Sequence, residues 1–120
     1  MTDLPPLAYS RPQTLPEVLA ALRRPGACVY AGGTDLLVAL QQRESATAWV
    51  RELVDIKDLS DAQGIEINAG VLRVGALATA RELATSALVR RLAPALREAA
   101  AATSAPLLRA RGTVGGNLVT

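Results

Sequence analysis

The chain has 120 residues, of which half are hydrophobic and a fifth are charged, with a net charge of +2. This balance fits one folded domain and excludes a disordered chain. With one cysteine and no histidine, the chain lacks an internal disulfide and the usual ligands of zinc or iron–sulfur sites. A nucleic-acid surface is not indicated, because the arginines are scattered and base-stacking aromatic residues are nearly absent.

The sequence shows neither a signal peptide nor a membrane-spanning segment. Residues 1–6 have neither the basic start nor the apolar stretch of a signal peptide. No apolar run approaches the ~20 residues of a membrane-spanning helix. We therefore expect a cytoplasmic protein without a membrane span, in which Cys28 is a small buried hydrophobic residue.

The first half of the chain predicts alternating helices and strands. A capping box at Thr14-Leu15-Pro16-Glu17 begins the first helix, and Pro25-Gly26 ends it. Helical spacing predicts one apolar stripe on this helix, made of Leu15, Val18, Leu19 and Leu22. The elements predicted after it are a strand at 27–31, a helix at 36–42 and a strand at 51–56.

The second half predicts a hairpin followed by helices. Two short strands, 65–67 and 71–74, flank the turn at Asn68-Ala69-Gly70. A second capping box at Thr79-Ala80-Arg81-Glu82 begins a short helix, and a longer helical stretch at 88–103 is divided by Pro94. The apolar face predicted for this stretch consists of Leu88, Leu92, Ala95, Leu96 and Ala99, with Arg90 and Arg97 opposite. Residues 104–111 are expected to be a connection.

Two segments place adjacent glycines beside small polar side chains. We name them loop 1, which comprises Ala31, Gly32, Gly33, Thr34 and Asp35, and loop 2, which comprises Thr113, Val114, Gly115, Gly116 and Asn117. Glycine lets the backbone approach a ligand, and successive amide N–H groups then form an anion-binding nest. A glycine pair taken alone is usually just an ordinary turn, and neither segment is a P-loop or a Rossmann fingerprint.

Both loops, with their neighbours, resemble the flavin loops of one enzyme family. The segment 29–37 (VYAGGTDLL) and the segment 109–118 (RARGTVGGNL) are similar to the first and second flavin loops in the FAD subunits of molybdenum hydroxylases. These are the xanthine and carbon monoxide dehydrogenases and their relatives. Three further segments match in the same order along the chain: 9–12, 53–56 and 74–79. The resemblance covers the whole chain and corresponds to the N-terminal part of such a subunit.

The resemblance implies a fold and a set of site residues. The fold is α+β, the two-subdomain FAD-binding type shared by p-cresol methylhydroxylase and vanillyl-alcohol oxidase (PCMH/VAO). Residues 1–57 correspond to the first subdomain and 58–120 to the start of the second, which is expected to be truncated soon after Asn117. All ten residues of loops 1 and 2 become candidate FAD-binding residues. Asp35 is expected to cap a helix or to organise loop 1, and Arg109 and Arg111 either attract phosphate or are simply solvated.

The resemblance also implies chemistry on partner subunits. In the family, electrons pass from a molybdenum centre through iron–sulfur clusters to FAD, and then to NAD or another acceptor. We therefore expect an iron–sulfur subunit and a molybdopterin subunit as partners, no catalytic or metal-binding residue in this chain, and no activity for the chain alone. Two alternatives remain open: a truncated, flavin-free remnant or interaction module, and a non-flavin anion-binding module. The hydroxylated substrate and the electron acceptor are not encoded here.

Overall fold

The computed structural model describes residues 4–103 and 105–119. The chain divides into two compact units between Leu59 and Ser60. Within the described residues, no helix is long and apolar enough to cross a bilayer. The expected cytoplasmic location stays a prediction.

A three-stranded parallel sheet organises the first unit. Its strands are β1 (Ala8–Ser10), β2 (Ala27–Tyr30) and β3 (Glu52–Asp55), in the spatial order β1-β3-β2. Helix α1 (Leu15–Ala21) connects β1 to β2, and α2 (Leu36–Gln41) follows β2. All four residues of β3 are buried, as expected for the central strand of a sheet covered on both faces.

Local signals fix the first helix. The Thr14 hydroxyl accepts a hydrogen bond from the Glu17 amide, and the Glu17 carboxylate reaches back to the Thr14 amide, so the predicted capping box is confirmed. After the helix, the Arg24 guanidinium forms a two-pronged contact with the Glu52 carboxylate at 2.6 and 2.8 Å. This fork joins the end of α1 to the start of the central strand.

The buried face of α1 differs from the predicted stripe. Val18 and Ala21 are buried, whereas Leu15 and Leu19 are 55% and 53% exposed. Leu15 and Leu19, two members of the predicted apolar stripe, therefore lie outside the core, because a seven-residue helix buries only a narrow strip of its surface. A separate cluster of Leu40, Val50 and Leu53 forms a core of the first unit. Cys28 is partly buried against this cluster.

The second unit begins with a hairpin and continues with helices. Its elements are β4 (Ile65–Asn68), β5 (Val71–Val74), α3 (Ala80–Thr85), α4 (Ala87–Leu92), α5 (Pro94–Ala102), α6 (Pro106–Arg109) and α7 (Val114–Val119). β4 and β5 pair antiparallel, as predicted. The turn residues Ala69 and Gly70 both have positive φ, 49° and 76°. This is the primed turn that suits the twist of a two-residue hairpin.

The predicted apolar face of the 88–103 stretch is corrected by the structure. Val89 and Ala100 are buried in the core of the second unit, whereas Leu92 and Leu96 are 48% and 39% exposed. Ala95 and Ala99 are exposed as well, and Leu88 and Arg97 are partly buried. The reason is Ala93, whose φ of −144° and ψ of 63° interrupt the helix before Pro94. One 3.6-residue period therefore does not run through both α4 and α5.

Among the described α-helices and strands, three were not predicted. β1 is only three residues long and becomes a strand by pairing with β3. The short α6 lies in the segment expected to be a connection, and begins at Pro106, a residue well suited to the first helical position. α7 contains most of loop 2, including both glycines.

Gly75, which is buried where β5 ends, provides a test of this packing. A Cβ atom there would lie 2.3 Å from the Ala62 carbonyl oxygen, which accepts a hydrogen bond from Leu77. We expect Gly75→Ala to lower the free energy of unfolding by about 2 kcal/mol or more, because backbone must move. Gly64→Ala is the control: its φ is +88° but nothing lies within 4 Å, so its cost should be the conformational strain of about 1 kcal/mol. Equal losses in urea denaturation would contradict this account.

Candidate functional site

Loop 1 lies where β2 ends, and it leads directly into α2. Gly33 has a φ of +70°, the left-handed conformation that glycine adopts most readily. Among the described residues, none accepts a hydrogen bond from the backbone N–H groups of Gly32, Gly33, Thr34 and Asp35. These four consecutive amides thus have no acceptor within the described part of the chain, and their role as an anion-binding nest stays a prediction.

The structure changes the reason for a glycine at position 33. A Cβ atom there would lie 2.6 Å from Cε2 of Tyr30 and 3.0 Å from Cδ1 of Leu37. Both neighbours belong to the partly buried shell around the core of the first unit. Packing beneath the loop is thus sufficient to require a glycine at position 33.

The two polar side chains of loop 1, Thr34 and Asp35, differ in their exposure to solvent. Thr34 is partly buried, whereas Asp35 is exposed. Asp35 occupies the residue before α2, and its carbonyl accepts from Ala39 at 3.0 Å, but its side chain makes no capping hydrogen bond. The expected side-chain cap by Asp35 is therefore absent, and only its backbone takes part in starting the helix.

A charged cluster lies at the same edge of the sheet, at the carboxyl end of the central strand. Asp55 is 1% exposed and lies opposite Tyr30 in the register of β2 and β3. Its carboxylate accepts from the Tyr9 hydroxyl and from the backbone N–H of Lys57, at 3.0 Å for the latter. The Lys57 ammonium lies 3.3 Å from the same carboxylate and 4.2 Å from the centroid of the Tyr30 ring.

These contacts set the charge state of Asp55. Burial raises its pKa, but the hydrogen bonds from Tyr9 and Lys57 together outweigh burial, so the pKa lies below the ordinary value of an aspartate. The hydrogen bond to Asp55 raises the pKa of the Tyr9 hydroxyl in turn. Beside them, Arg11 forks onto Asp58 at 2.7 and 2.9 Å and lowers the pKa of that carboxyl. Sequence reasoning missed this cluster, although two of its members sit at strand ends, where parallel sheets commonly build sites.

Loop 2 is mostly helical. Val114, Gly115, Gly116 and Asn117 form the first turn of α7, and Thr113 precedes it in an isolated bridge to Thr79. The amide of Val114 donates to the Ala78 carbonyl at 2.8 Å, and that of Gly115 to the Ala76 carbonyl at 2.8 Å. The amides of Gly116 and Asn117 donate to the hydroxyl and carbonyl of Thr113, at 3.1 and 3.0 Å. The nest predicted for loop 2 is therefore already satisfied by protein acceptors.

The glycines of loop 2 serve close packing. A Cβ atom on Gly115 would lie 3.1 Å from both Cβ and the carbonyl oxygen of Ala76, and one on Gly116 would lie 3.0 Å from the Thr113 hydroxyl. Val114 packs against the core of the second unit. What loop 2 presents to a ligand is thus the Thr113 hydroxyl, which can still donate its hydrogen, and the exposed Asn117 side chain.

The remaining sequence candidates have no separate site. Arg109 donates to the Thr103 carbonyl at 3.5 Å, and Arg111 is exposed. Cys28 is partly buried, and this burial raises the pKa of its thiol because the thiolate loses hydration. Across residues 4–103 and 105–119, no group of three or more metal-ligating side chains comes together.

Comparison with known proteins decides the family. Residues 5–120 match the model of the FAD binding domain in molybdopterin dehydrogenase. The chain belongs to this family. The predicted resemblance and the predicted cofactor, FAD, are confirmed at this level.

Relatives and solved structures agree with the assignment. The chain is 34% identical over 113 residues to the xanthine dehydrogenase FAD-binding subunit of Escherichia coli O157:H7, with 92% of this chain and 38% of that protein covered. It is 32% identical over 116 residues to the carbon monoxide dehydrogenase medium chain of Hydrogenophaga pseudoflava, covering 95% of this chain and 39% of the relative.

The fold also matches solved structures. Against carbon monoxide dehydrogenase from H. pseudoflava lacking the Mo-pyranopterin moiety, the TM-score is 0.90 at 30% identity, over 97% of this chain and 40% of that chain. Against quinoline 2-oxidoreductase from Pseudomonas putida 86, it is 0.88 at 33% identity, with the same coverage. The predicted α+β fold class is confirmed, and the chain spans about two-fifths of the proteins it matches.

Gly33→Ala tests the packing beneath loop 1. The new methyl group would meet the Tyr30 ring and Leu37 in a backbone conformation that already disfavours alanine. We expect a loss of about 2–3 kcal/mol of unfolding free energy, measured by chemical denaturation. The matched control is Gly70→Ala. Gly70 also has a positive φ, +76°, but no atom lies within 4 Å of the added Cβ. This variant should lose only about 1 kcal/mol of unfolding free energy. Similar costs for both would show that the Tyr30 contact is unimportant.

Acid should destabilise the first unit through its paired carboxylates. The folded-state pKa values of Asp55, Glu52 and Asp58 all lie below their ordinary values. Stability from these groups is therefore fully present above the unfolded-state pKa of about 4 and is lost as pH falls through the folded values. We expect the melting temperature to decrease when the pH is lowered below about 4. In Asp55→Asn, the decrease in melting temperature over the same pH range should be smaller. Identical profiles for variant and wild type would contradict the role of Asp55.

Proposed function

We propose that this chain binds FAD as part of the electron-transfer subunit of a molybdenum hydroxylase, through the ten residues of loops 1 and 2. The observation that carries the proposal is the run of four amides at Gly32, Gly33, Thr34 and Asp35, for which residues 4–103 and 105–119 supply no acceptor. Such a run satisfies the oxygens of a diphosphate with neutral donors, and glycine keeps the surface above them open.

The two loops contribute different donors. Loop 1 offers backbone amides and the partly buried Thr34 hydroxyl, which suit phosphate oxygens. In loop 2 the amides of Val114 and Gly115 are used by Ala76 and Ala78. Its contribution is therefore made by side chains, the Thr113 hydroxyl and the Asn117 amide, which suit any polar group of the cofactor. Packing of Gly115 against Ala76 holds these side chains in place.

The chemistry of the proposed subunit is that of its cofactor and partners. FAD supplies the redox steps when it is bound, while the protein binds and orients it. Electrons would arrive from an iron–sulfur subunit, itself supplied by a molybdopterin subunit, and leave to NAD or another acceptor. We further propose that residues 1–57 form the first subdomain of the flavin domain and residues 58–120 begin the second.

A direct test is the stabilisation of the purified chain by FAD. At an FAD concentration a hundred times the dissociation constant, stability should rise by about 2.7 kcal/mol. The measurements are the melting temperature and the change in flavin fluorescence on binding. No stabilisation would favour a flavin-free module, and equal stabilisation by ATP or free diphosphate would favour a general anion-binding module.

Substitution in loop 2 tests its side-chain role. Asn117→Ala removes an exposed donor, so it should raise the dissociation constant for FAD about five- to tenfold, the value of one hydrogen bond, with little change in melting temperature. Asn68→Ala, an exposed asparagine of the β4–β5 hairpin, is the matched control and should bind FAD normally. Wild-type affinity in Asn117→Ala would remove this residue from the site.

A further inference from the structure

Tyr30 is the last residue of β2 and stands directly before loop 1. It lies opposite Asp55 in the register of β2 and β3, and its carbonyl accepts from the Ile56 amide at 3.0 Å. Its side chain is partly buried against the core cluster of Leu40, Val50 and Leu53. The sheet and the core therefore fix the position of this ring without help from a ligand.

The Tyr30 ring lies against loop 1 at Gly33. Its Cε2 atom occupies the place next to Gly33 where a side chain would begin, 2.6 Å from the position of a Cβ atom. The Gly33 carbonyl accepts from the Leu37 amide at 3.1 Å, which ties the same residue to the start of α2. Gly33 thus adopts its φ of +70° between a fixed ring on one side and a helix on the other.

The peptide groups around Gly33 carry the donors of the proposed cofactor site. The amides of Gly33 and Thr34 flank its α-carbon, and neither has an acceptor among the described residues. A backbone amide changes direction only when φ or ψ changes, and glycine has the widest range of both. A glycine without support would become ordered only on binding, and that ordering lowers the affinity for the ligand.

We infer that Tyr30 is a positioning residue for FAD, which acts through Gly33 by holding the amides of loop 1 in their binding orientation before the cofactor arrives. The inference rests on the proposed function, since it assumes that these amides bind the diphosphate of FAD. It assigns a role in cofactor affinity to an aromatic ring that lies outside both glycine loops.

The test compares the dissociation constant for FAD in wild type, Tyr30→Leu and Tyr30→Phe. Tyr30→Leu keeps an apolar side chain in the core but removes the ring carbon beside Gly33. It should raise the dissociation constant about tenfold, the cost of ordering the backbone of one residue on binding. Tyr30→Phe keeps that ring carbon and should bind FAD as wild type does.

Leu7→Ala is the control for lost core packing. Leu7 packs against the same core cluster, but it precedes β1, which the central strand separates from β2. This variant should have a lower melting temperature and an unchanged dissociation constant for FAD. All dissociation constants are measured well below the melting temperature of each variant, so that they report on folded protein. A merely structural role for Tyr30 would give Tyr30→Leu the behaviour of Leu7→Ala.

The outcomes separate this inference from the proposed function. If wild type and Tyr30→Leu bind FAD equally well, the inference is overturned and the proposed function stands. If wild type does not bind FAD, both fall. Should Tyr30→Leu fail to fold, Tyr30→Met takes its place, and failure of both to fold would overturn the inference, because the ring would then serve the whole fold. Weaker binding that only the aromatic variant restores supports the inference.

Discussion

The first unit depends on a buried negative charge at the end of its central strand. A carboxylate taken out of water is tolerated only when hydrogen bonds and cations replace its hydration. Asp55 obtains these from the Tyr9 hydroxyl at one edge of the sheet and from Lys57 in the following turn. Tyr30, on the other edge strand, lies beneath that ammonium. The Asp55 carboxylate thus links β1, through Tyr9, to the turn that contains Lys57. The Lys57 ammonium in turn links this turn to Tyr30 of β2.

This arrangement explains why loop 1 has its observed shape. The Tyr30 ring contacts the Lys57 ammonium and also fills the space beneath Gly33. The loop above it turns with a positive φ and starts α2 without a side-chain cap. No residue that the structure describes accepts a hydrogen bond from its amides at 32–35. Backbone donors cannot adjust their positions as side chains do, so their placement depends on the packing beneath them.

The two diglycine segments look alike in sequence and differ in structure. At loop 1 the chain leaves a strand and the amides remain unsatisfied, whereas at loop 2 the glycines lie in a helix whose first amides donate to Ala76 and Ala78. Glycine is required in both places because a methyl group would strike a neighbour, the Tyr30 ring in one case and Ala76 in the other. Identical residue types therefore belong to a strand-to-helix loop in the first segment and to a close helix contact in the second.

Sequence alone determined the features that depend on near neighbours. The capping box at Thr14, the hairpin turn at Ala69-Gly70 and the break before Pro94 are local, because their hydrogen bonds or steric limits involve residues within a few positions. The two motifs also sufficed for the family, since they are specific in composition and order. Tertiary structure decided which face of a short helix is buried, as the exposed Leu15 and Leu92 show. It also decided the strand at Ala8–Ser10 and the cluster around Asp55, because partners that lie more than forty residues away supply those contacts.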